Sequence, residues 1–158
     1  ETIDWRGFAK GVMGEYASNA RYRGLDEEGR KALRAQLELF TEIIKSGLIR
    51  TYAKGLLAFS GSKFEIVADE SSEPDARSVS ITQQVYGTGD RTFTVRYQMG
   101  RGRSGEWRLR NIIVENINLG QIYQNQFSAA AKSADGDAAK VIAEWDVAAN
   151  LPEDLESE

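Results

Sequence analysis

The first sixty residues carry their apolar side chains at helical spacing. Within 4–16 these side chains recur at i, i+3, i+4, i+7, i+8 and i+11, which places them on one face of a helix. The same pattern over 26–59 predicts a second helix of more than thirty residues, with Asp26 as its N-cap and a bend near Gly47. Between the two helices, 18–25 lacks this period and is predicted to be a loop.

Beyond residue 61 the apolar period changes from 3.6 residues to 2, which is typical of β-strands. Each alternating segment has an apolar side and a polar side, so one face of the resulting sheet packs and the other meets water. Short turn-forming clusters separate the segments, which predicts an antiparallel meander. Four strands are predicted, at 64–68, 79–85, 93–99 and 107–117, with turns that include 71–75 and 87–90.

The fourth segment contains a change of phase. Trp107 and Leu109 belong to one alternation, whereas Ile112 and Val114 belong to the other. This pattern indicates either a β-bulge near Arg110 or a strand end that is buried on both faces.

Two shorter helices follow the strands, one starting at Asn118 and the other at Asp135 or Asp137. Helices, then a meander, then helices give the α+β class: a four-stranded antiparallel sheet packed on one face by helices. All these elements offer apolar faces, so they either pack fully against each other or enclose an apolar cavity. We expect one domain over 1–150 and an acidic, disordered tail over 151–158.

Composition excludes several classes of protein. The chain has no cysteine and no histidine, which excludes cysteine nucleophiles, Ser-His-Asp triads, disulfides, zinc fingers and histidine-ligated iron. Its 20 basic and 24 acidic residues give a net charge of −4, and a nucleic-acid-binding protein would usually be basic. No window of 18 apolar residues is present, so no membrane span is predicted.

The hairpin around 100–105 carries two features that suggest ligands. Its GxGxxG string would bind a dinucleotide only if a helix followed, and a strand-like segment follows instead, which favours a hairpin turn. Its arginines either form the solvated side of the sheet or contact an anionic headgroup or an acidic partner. These arginines are Arg96, Arg101, Arg103, Arg108 and Arg110.

Three blocks of sequence together indicate a family. They are FAKGVMGEY at 8–16, IRTYAKGLLAFSG at 49–61 and WRLRNIIVENINLGQIYQNQF at 107–127. In order and spacing they resemble the toluene-tolerance family, the periplasmic MlaC-type phospholipid-binding proteins, over nearly the whole chain. The sequence departs from the family pattern at Asn111, Asn116 and Asn118, where acidic, glycine and serine residues are usual, and Gln124 and Asn125 break the family's N-Y-R pattern after Tyr123. Asparagine adopts left-handed backbone geometry and caps helices, so we expect the turn chemistry to persist.

The resemblance implies a soluble periplasmic carrier in Gram-negative bacteria rather than an enzyme, with phospholipid as cargo and no cofactor or metal. It would carry lipid between an outer-membrane lipoprotein–porin complex and an inner-membrane ABC transporter with its lipid-binding ring, and so serve outer-membrane lipid asymmetry. Burial of one sixteen-carbon acyl chain contributes about 12 kcal/mol, so a two-chain lipid leaves a bilayer for water very slowly. A carrier therefore needs a cavity for the chains.

The apolar stripes of helices and sheet converge, and we expect the acyl chains to lie among them. Arg101 and Arg103 are expected to contact the headgroup or a partner. The predicted lipid-contacting residues are Tyr52, Leu56, Val79, Ile81, Phe93, Val95, Tyr97, Val114, Leu119 and Tyr123.

Two other functions stay open from the residues alone. A small cone-shaped α+β enzyme, like isomerases and dehydratases, would also place a pocket between helices and a curved sheet. It would need a buried acid/base pair, of which Glu115 in its apolar surroundings is the only candidate. The other alternative is an adaptor domain without a pocket.

Overall fold

The computed structural model describes residues 2–58, 63–67, 76–86 and 92–149, with all of their side chains except those of 53–58 and 64. The predicted turns at 71–75 and 87–90 and the predicted tail at 151–158 lie outside the described residues. The helices are α1 (Trp5–Met13), α2 (Asn19–Gly24), α3 (Glu27–Ala58), α4 (Leu119–Ser133) and α5 (Ala138–Ala143), with a 3₁₀ turn at Gly14–Ala17. The strands are β1 (Lys63–Val67), β2 (Ser78–Tyr86), β3 (Thr92–Arg101), β4 (Trp107–Val114) and β5 (Ile117–Asn118).

The strands form one antiparallel sheet in the order β1-β2-β3-β4-β5, which confirms the predicted α+β class and the meander. The predicted number of four strands is wrong, because the sheet has five. The segment 107–117 reverses direction at Glu115, whose φ of 54° lies in the left-handed region. Val114 then pairs with Ile117, so the end of the predicted fourth strand is a separate strand.

A bulge lies where the sequence changes phase. Gln98 pairs with Asn111 and Met99 pairs with Leu109, so Arg110 is the extra residue on β4. The predicted β-bulge near Arg110 is therefore confirmed. Because of this extra residue, Leu109 and Ile112 lie on the same face of the sheet although their spacing is odd.

The N-terminal residues add to the outer edge of β4. The Leu109 amide donates to the Thr2 carbonyl at 2.8 Å, and the Asp4 amide donates to the Leu109 carbonyl at 2.8 Å. Ile3 thus forms a parallel bridge with Leu109 directly before α1 begins. The alternation pattern could not show this pairing, since a single bridge has no period.

By their internal contacts the residues divide into two compact units, which we call the sheet unit and the helical unit. The sheet unit comprises residues up to Asp4 and Gly55–Leu119, and the helical unit comprises Trp5–Lys54 and the chain from Gly120 onward. The chain thus begins in the sheet unit, enters the helical unit at Trp5, returns to the sheet unit at Gly55 and enters the helical unit again at Gly120. The single domain over 1–150 stays a prediction.

The core of the helical unit centres on three aromatic rings. The Phe40 centroid lies 5.2 Å from that of Phe127 and 5.5 Å from that of Trp145, in tilted and edge-on arrangements that suit aromatic pairs. Leu33, Leu37, Phe40 and Ile44 form the buried stripe of α3, as its period predicts. The whole buried apolar set of this unit is Ala9, Val12, Met13, Ala17, Leu33, Leu37, Phe40, Ile44, Tyr123, Phe127, Ala131, Ala138, Val141, Ile142 and Val147.

The predicted loop at 18–25 is wrong, because Asn19–Gly24 forms helix α2. The Ser18 hydroxyl accepts a hydrogen bond from the Arg21 amide at 3.1 Å and so caps this helix. None of its six residues is buried. It therefore has no apolar stripe, and hydrophobic periodicity could not reveal it.

Helix α3 has 32 residues, as the pattern predicts, and it stays helical through Gly47, where the bend remains a prediction. The side chain of Val147 leaves no room for a larger residue at position 47, because a Cβ on Gly47 would lie 2.4 Å from a Val147 methyl carbon. Among the described helices, none is both long and apolar enough to cross a membrane.

Candidate functional site

The apolar face of the sheet is built by the pairing of its strands. Opposite residues of antiparallel strands point to the same side. Ile81 pairs with Tyr97, and Val95 pairs with Val114 on its other side. The Arg101–Trp107 pair lies on this side at the hairpin end, Ile66 of β1 pairs with Gln83, and Ile117 of β5 pairs with Val114. The positions of β2, β3 and β4 between them are Val79, Ile81, Gln83, Val85, Phe93, Val95, Tyr97, Met99, Leu109, Ile112 and Val114. We call this set the apolar sheet face.

The apolar sheet face is only half-buried. Of the described strand residues Gly100 alone is buried, so no apolar strand side chain with a described position is buried, and Ile81 keeps 36% of its surface exposed. In the helical unit, by contrast, Phe40, Tyr123 and Phe127 are each 0% exposed. Of the 16 buried apolar residues in the described chain, Leu119 is the only one in the sheet unit. The helical unit has a buried core, whereas the described strand residues leave the apolar sheet face half-buried.

The apolar sheet face carries no charge at any of its eleven positions, and the charge on the same side, Arg101, stands beyond Met99 at the hairpin end. The Tyr97 hydroxyl donates to Gln83 Oε1 at 2.6 Å, so the hydroxyl of the tyrosine has a neutral partner on the same face. Burial raises the pKa of Tyr97, which keeps its hydroxyl protonated at neutral pH. An apolar ligand bound to these eleven positions would therefore cover no ionised group.

Six of the ten predicted lipid-contacting residues share this face: Val79, Ile81, Phe93, Val95, Tyr97 and Val114. The prediction omitted Gln83, Val85, Met99, Leu109 and Ile112, which the pairing places on the same face. Val85 and Met99 could have been included, because they share the phase of their strands. Leu109 and Ile112 required knowledge of which residue is the bulge.

The other four predicted residues lie elsewhere. Leu119 is buried at the start of α4, and the side chain of Leu56 lies outside the described residues. Tyr52 and Tyr123 meet in the helical unit, where their hydroxyl oxygens are 3.3 Å apart. Burial raises the pKa of Tyr123, with the Tyr52 hydroxyl adding to the effect, and burial likewise raises the pKa of Tyr52. The structure places Tyr123 in the aromatic core, 6.4 Å from Trp145 between ring centroids.

The opposite face of the sheet is polar, as predicted, and Asn111 connects three elements there. Its side-chain amide donates to Gln98 Oε1 at 2.9 Å and to Asn118 Oδ1 at 2.8 Å. Its carbonyl oxygen accepts from the Ile112 amide at 2.9 Å. An aspartate could not donate these two hydrogen bonds, so asparagine at this position joins β3, β4 and β5. Two of the departures from the family pattern, Asn111 and Asn118, thus contact each other.

Glu115 has a structural role in the turn between β4 and β5. It is exposed, and its carboxylate accepts a hydrogen bond from the Thr94 amide at 2.6 Å while its own amide donates to the Thr94 carbonyl at 2.7 Å. The expected apolar surroundings of Glu115 are therefore wrong. We expected Asn116 to supply left-handed geometry at this turn, and Glu115 supplies it instead.

The string at 100–105 forms a hairpin turn, as predicted. The Gly102 amide donates to the Glu106 carbonyl at 2.8 Å, and Gly105 has a φ of +91° that favours glycine. The Ser104 hydroxyl donates to the Glu106 carboxylate and lowers its pKa, and Arg108 lies 3.1 Å from the same carboxylate.

The hairpin arginines have different surroundings. Arg110 lies 3.6 Å from the Asp4 carboxylate, with its guanidinium above Gly100, where a side chain would otherwise be. Arg101 lies 6.0 Å from the ring centroid of Trp107 and donates to the Gly105 carbonyl at 3.3 Å. Arg103 is exposed at the tip of the hairpin, and Arg96 is exposed on the polar face. Among the described residues, Arg108 and Arg110 thus have a carboxylate within 4.0 Å, and Arg101 and Arg103 do not.

The helical unit also contains a small open cleft of about 240 Å³. It lies where the 3₁₀ turn meets α4, and it includes none of the predicted lipid-contacting residues. No cluster of acidic residues suited to a metal ion occurs in the described ranges. The cleft is lined by Met13, Gly14, Glu15, Tyr16, Gln124, Asn125 and Ser128.

Comparison with known proteins identifies relatives of this chain. The toluene tolerance protein ttg2D of Pseudomonas putida is 31% identical over 143 residues, which cover 90% of this chain and 60% of that protein. The phospholipid-binding protein from Ralstonia solanacearum, solved in complex with a phospholipid, superimposes with a TM-score of 0.71 over 89% of this chain and 70% of its own. Its sequence identity of 20% makes this a likeness of fold.

The chain spans about 60% of the length of the curated relative that it matches. The model of one protein family, described as MlaC protein, matches residues 1–147 and so includes both the apolar sheet face and the aromatic core. The family resemblance that the three sequence blocks indicated is thereby confirmed, and the chain belongs to the MlaC protein family.

Proposed function

We propose that this protein is a phospholipid carrier of the Gram-negative periplasm and not an enzyme. The acyl chains lie on the apolar sheet face, in an apolar cavity to which this face contributes, and the headgroup stays in water. The protein exchanges lipid with an outer-membrane lipoprotein–porin complex and with the lipid-binding ring of an inner-membrane ABC transporter. No chemical step is required of it.

The observation that carries this proposal is the half-buried, uncharged sheet face. A β-sheet that serves only as a scaffold buries its apolar side in a core. The helical unit has such a core, in which Phe40 and Phe127 are fully buried. Here Val95 and Val114 pair with each other and both stay partly exposed, as do Val79 and its partner Met99 farther along the sheet. Large apolar surfaces of this kind mark sites for ligands or partners, and acyl chains cover them without hydrogen bonds.

The relatives support phospholipid as the ligand. The Ralstonia solanacearum protein was solved with a phospholipid bound, and it has the same fold as this chain. The competing enzyme hypothesis required a buried Glu115, whereas that carboxylate is exposed and bound to the Thr94 amide. An adaptor domain would cover this face with a partner protein instead of lipid, and the analysis of bound lipid distinguishes the two functions.

The cargo can be tested directly. Organic extracts of the purified protein are expected to contain phospholipid when analysed by mass spectrometry. After delipidation, the protein should bind a two-chain phospholipid at least about 100-fold more tightly than glycerophosphate, because burial of four methylene groups at ~0.8 kcal/mol each supplies that factor. Calorimetry measures both affinities. Equal binding of glycerophosphate would contradict a carrier that holds acyl chains.

Arg101 and Arg103 are proposed to contact the headgroup or an acidic partner during transfer. Reversing both charges, with Arg101→Glu and Arg103→Glu, should slow lipid transfer between donor and acceptor proteins several-fold at low salt and leave the bound lipid unchanged. The difference should shrink at about 150 mM salt, where exposed charges are screened beyond ~8 Å. Arg96→Glu combined with Lys132→Glu, which reverses two exposed charges away from the hairpin turn, is the matched control. An unchanged transfer rate would show that Arg101 and Arg103 are simply solvated.

A further inference from the structure

A second group of basic residues lies in the helical unit, on α1, α2 and the first turns of α3. The sequence pattern did not predict this group, because its members are spread over 25 positions and form no motif. We call it the basic cluster, and it consists of Lys10, Arg21, Arg23, Arg30 and Arg34. A chain with a net charge of −4 thus places five of its 20 basic residues in one part of one unit.

Tyr22 holds two of these cations. The Arg30 guanidinium lies 5.5 Å from the centroid of the Tyr22 ring, and that of Arg34 lies 5.8 Å from it. Arg34 Nη1 donates to the Tyr22 hydroxyl at 2.7 Å, and Arg30 donates to the carbonyls of Tyr22 and Arg23 at 3.1 and 3.0 Å. Ring contacts and hydrogen bonds to neutral oxygens therefore fix both guanidinium groups.

The other three cations have neutral partners as well. Lys10 donates to the side-chain oxygen of Asn19 at 2.8 Å, and Arg23 donates to the carbonyl of the same residue at 3.3 Å. The Arg21 guanidinium lies 5.8 Å from the Tyr16 ring centroid. Helix α2, which has no buried residue, thus serves to hold basic side chains in place.

None of the five cations has a carboxylate within 4.0 Å in the part of the chain that the structure describes. The nearest acidic residue in sequence to Arg23 is Asp26, whose carboxylate accepts from the Gly29 amide at 2.8 Å. Four of the five are arginines, and a guanidinium held this way keeps N–H groups in a planar fork that matches a carboxylate. A partner would meet oriented cations without first breaking an internal ion pair, which lowers the cost of binding.

We propose that the basic cluster is a docking surface for an acidic protein, which binds through a group of aspartate and glutamate carboxylates. A protein fits better than a membrane for two reasons. The exposed large apolar residues in the described chain are Leu39, Ile49, Ile66, Val67, Ile81 and Trp107, and none of them lies within 10–34. A membrane-binding surface combines basic residues with an apolar face that inserts, and the net charge of −4 opposes adsorption to an anionic bilayer.

The test uses a fluorescently labelled oligoglutamate peptide as the acidic probe and fluorescence anisotropy at low salt. The Arg21→Glu/Arg34→Glu variant should bind the peptide about tenfold more weakly than the wild-type protein, since it reverses two of the contributing charges. The matched control is Lys132→Glu/Lys140→Glu, which makes the same change of charge at two exposed lysines on α4 and α5 and should bind within about twofold of wild type. Vesicles of phosphatidylglycerol should not distinguish the three proteins.

Circular dichroism establishes that each variant is folded, and Arg21→Gln/Arg34→Gln replaces the charge reversal if Arg34→Glu does not fold. Two outcomes would overturn the proposal. In one, the control loses as much affinity as the cluster variant, so that only net charge matters. In the other, the cluster variant loses binding to the vesicles and not to the peptide, which would make the surface a membrane contact. Neither outcome bears on whether the apolar sheet face binds lipid.

Discussion

The Val95→Trp variant is expected to retain less than a tenth of the phospholipid bound by the wild-type protein. Val95 lies in the middle of β3 on the apolar sheet face, with Val114 opposite it on β4. Its side chain is half-buried, so an indole has room to extend from the face into space that we assign to an acyl chain. With lipid removed from both proteins, the free energy of unfolding should change by less than about 1 kcal/mol. A close-packed core would lose about 1–3 kcal/mol on the same substitution.

The comparison must be made without lipid, because bound lipid stabilises the native state by mass action and would penalise the variant. Chemical denaturation of the delipidated proteins gives the stability, and phosphate analysis of the purified proteins gives the lipid content. Arg96→Trp is the matched control, since it places the same side chain on the adjacent residue of the same strand but on the polar face. It should leave lipid content unchanged. A strongly destabilised Val95→Trp protein that still loads lipid normally would show that Val95 belongs to a packed core.

Much of the sheet could be predicted because alternation is a direct consequence of strand geometry. Phe93, Val95 and Tyr97 alternate with polar residues, and the structure pairs them with β2 and β4 as that pattern indicates. Even the bulge at Arg110 was visible as a change of phase. What alternation could not give was the two-residue strand β5, because Ile117 and Asn118 are too few to show a period.

The features that the sequence did not reveal depend on polar contacts and on close approach. Helix α2 follows from a serine cap and has no apolar stripe, so a search for periodicity passes over it. The basic cluster depends on which carbonyls and rings meet Arg30 and Arg34 in space. The half-buried state of the sheet face is likewise invisible in the pattern, since the same alternation would describe a fully covered sheet. Gly47 is a further case. The sequence pattern predicts a bend in the helix there, whereas the structure shows that the missing side chain makes room for Val147.

Replacing Gly47 by alanine is expected to destabilise the protein by about 2 kcal/mol, although alanine is the better helix former by up to ~1 kcal/mol. The new Cβ would lie 2.4 Å from Val147 Cγ2 and 2.7 Å from Val147 Cβ. Val147 is 3% exposed and branched at Cβ, so its side chain cannot rotate away without disturbing the core around it. Thermal unfolding should show a decrease in Tm of roughly 4–8 °C for a domain of this size.

The matched control for Gly47 is Gly11, which lies inside α1, where a Cβ would have no atom within 4 Å. Gly11→Ala should raise stability by up to ~1 kcal/mol, so the same substitution in two helices should have opposite signs. A double variant identifies the cause. If overlap with Val147 is responsible, Gly47→Ala combined with Val147→Gly should be about 2 kcal/mol more stable than the sum of the two single effects, because only residues in contact couple in this way. Additive effects would mean that Gly47 is required for another reason, such as the bend that its sequence position suggests.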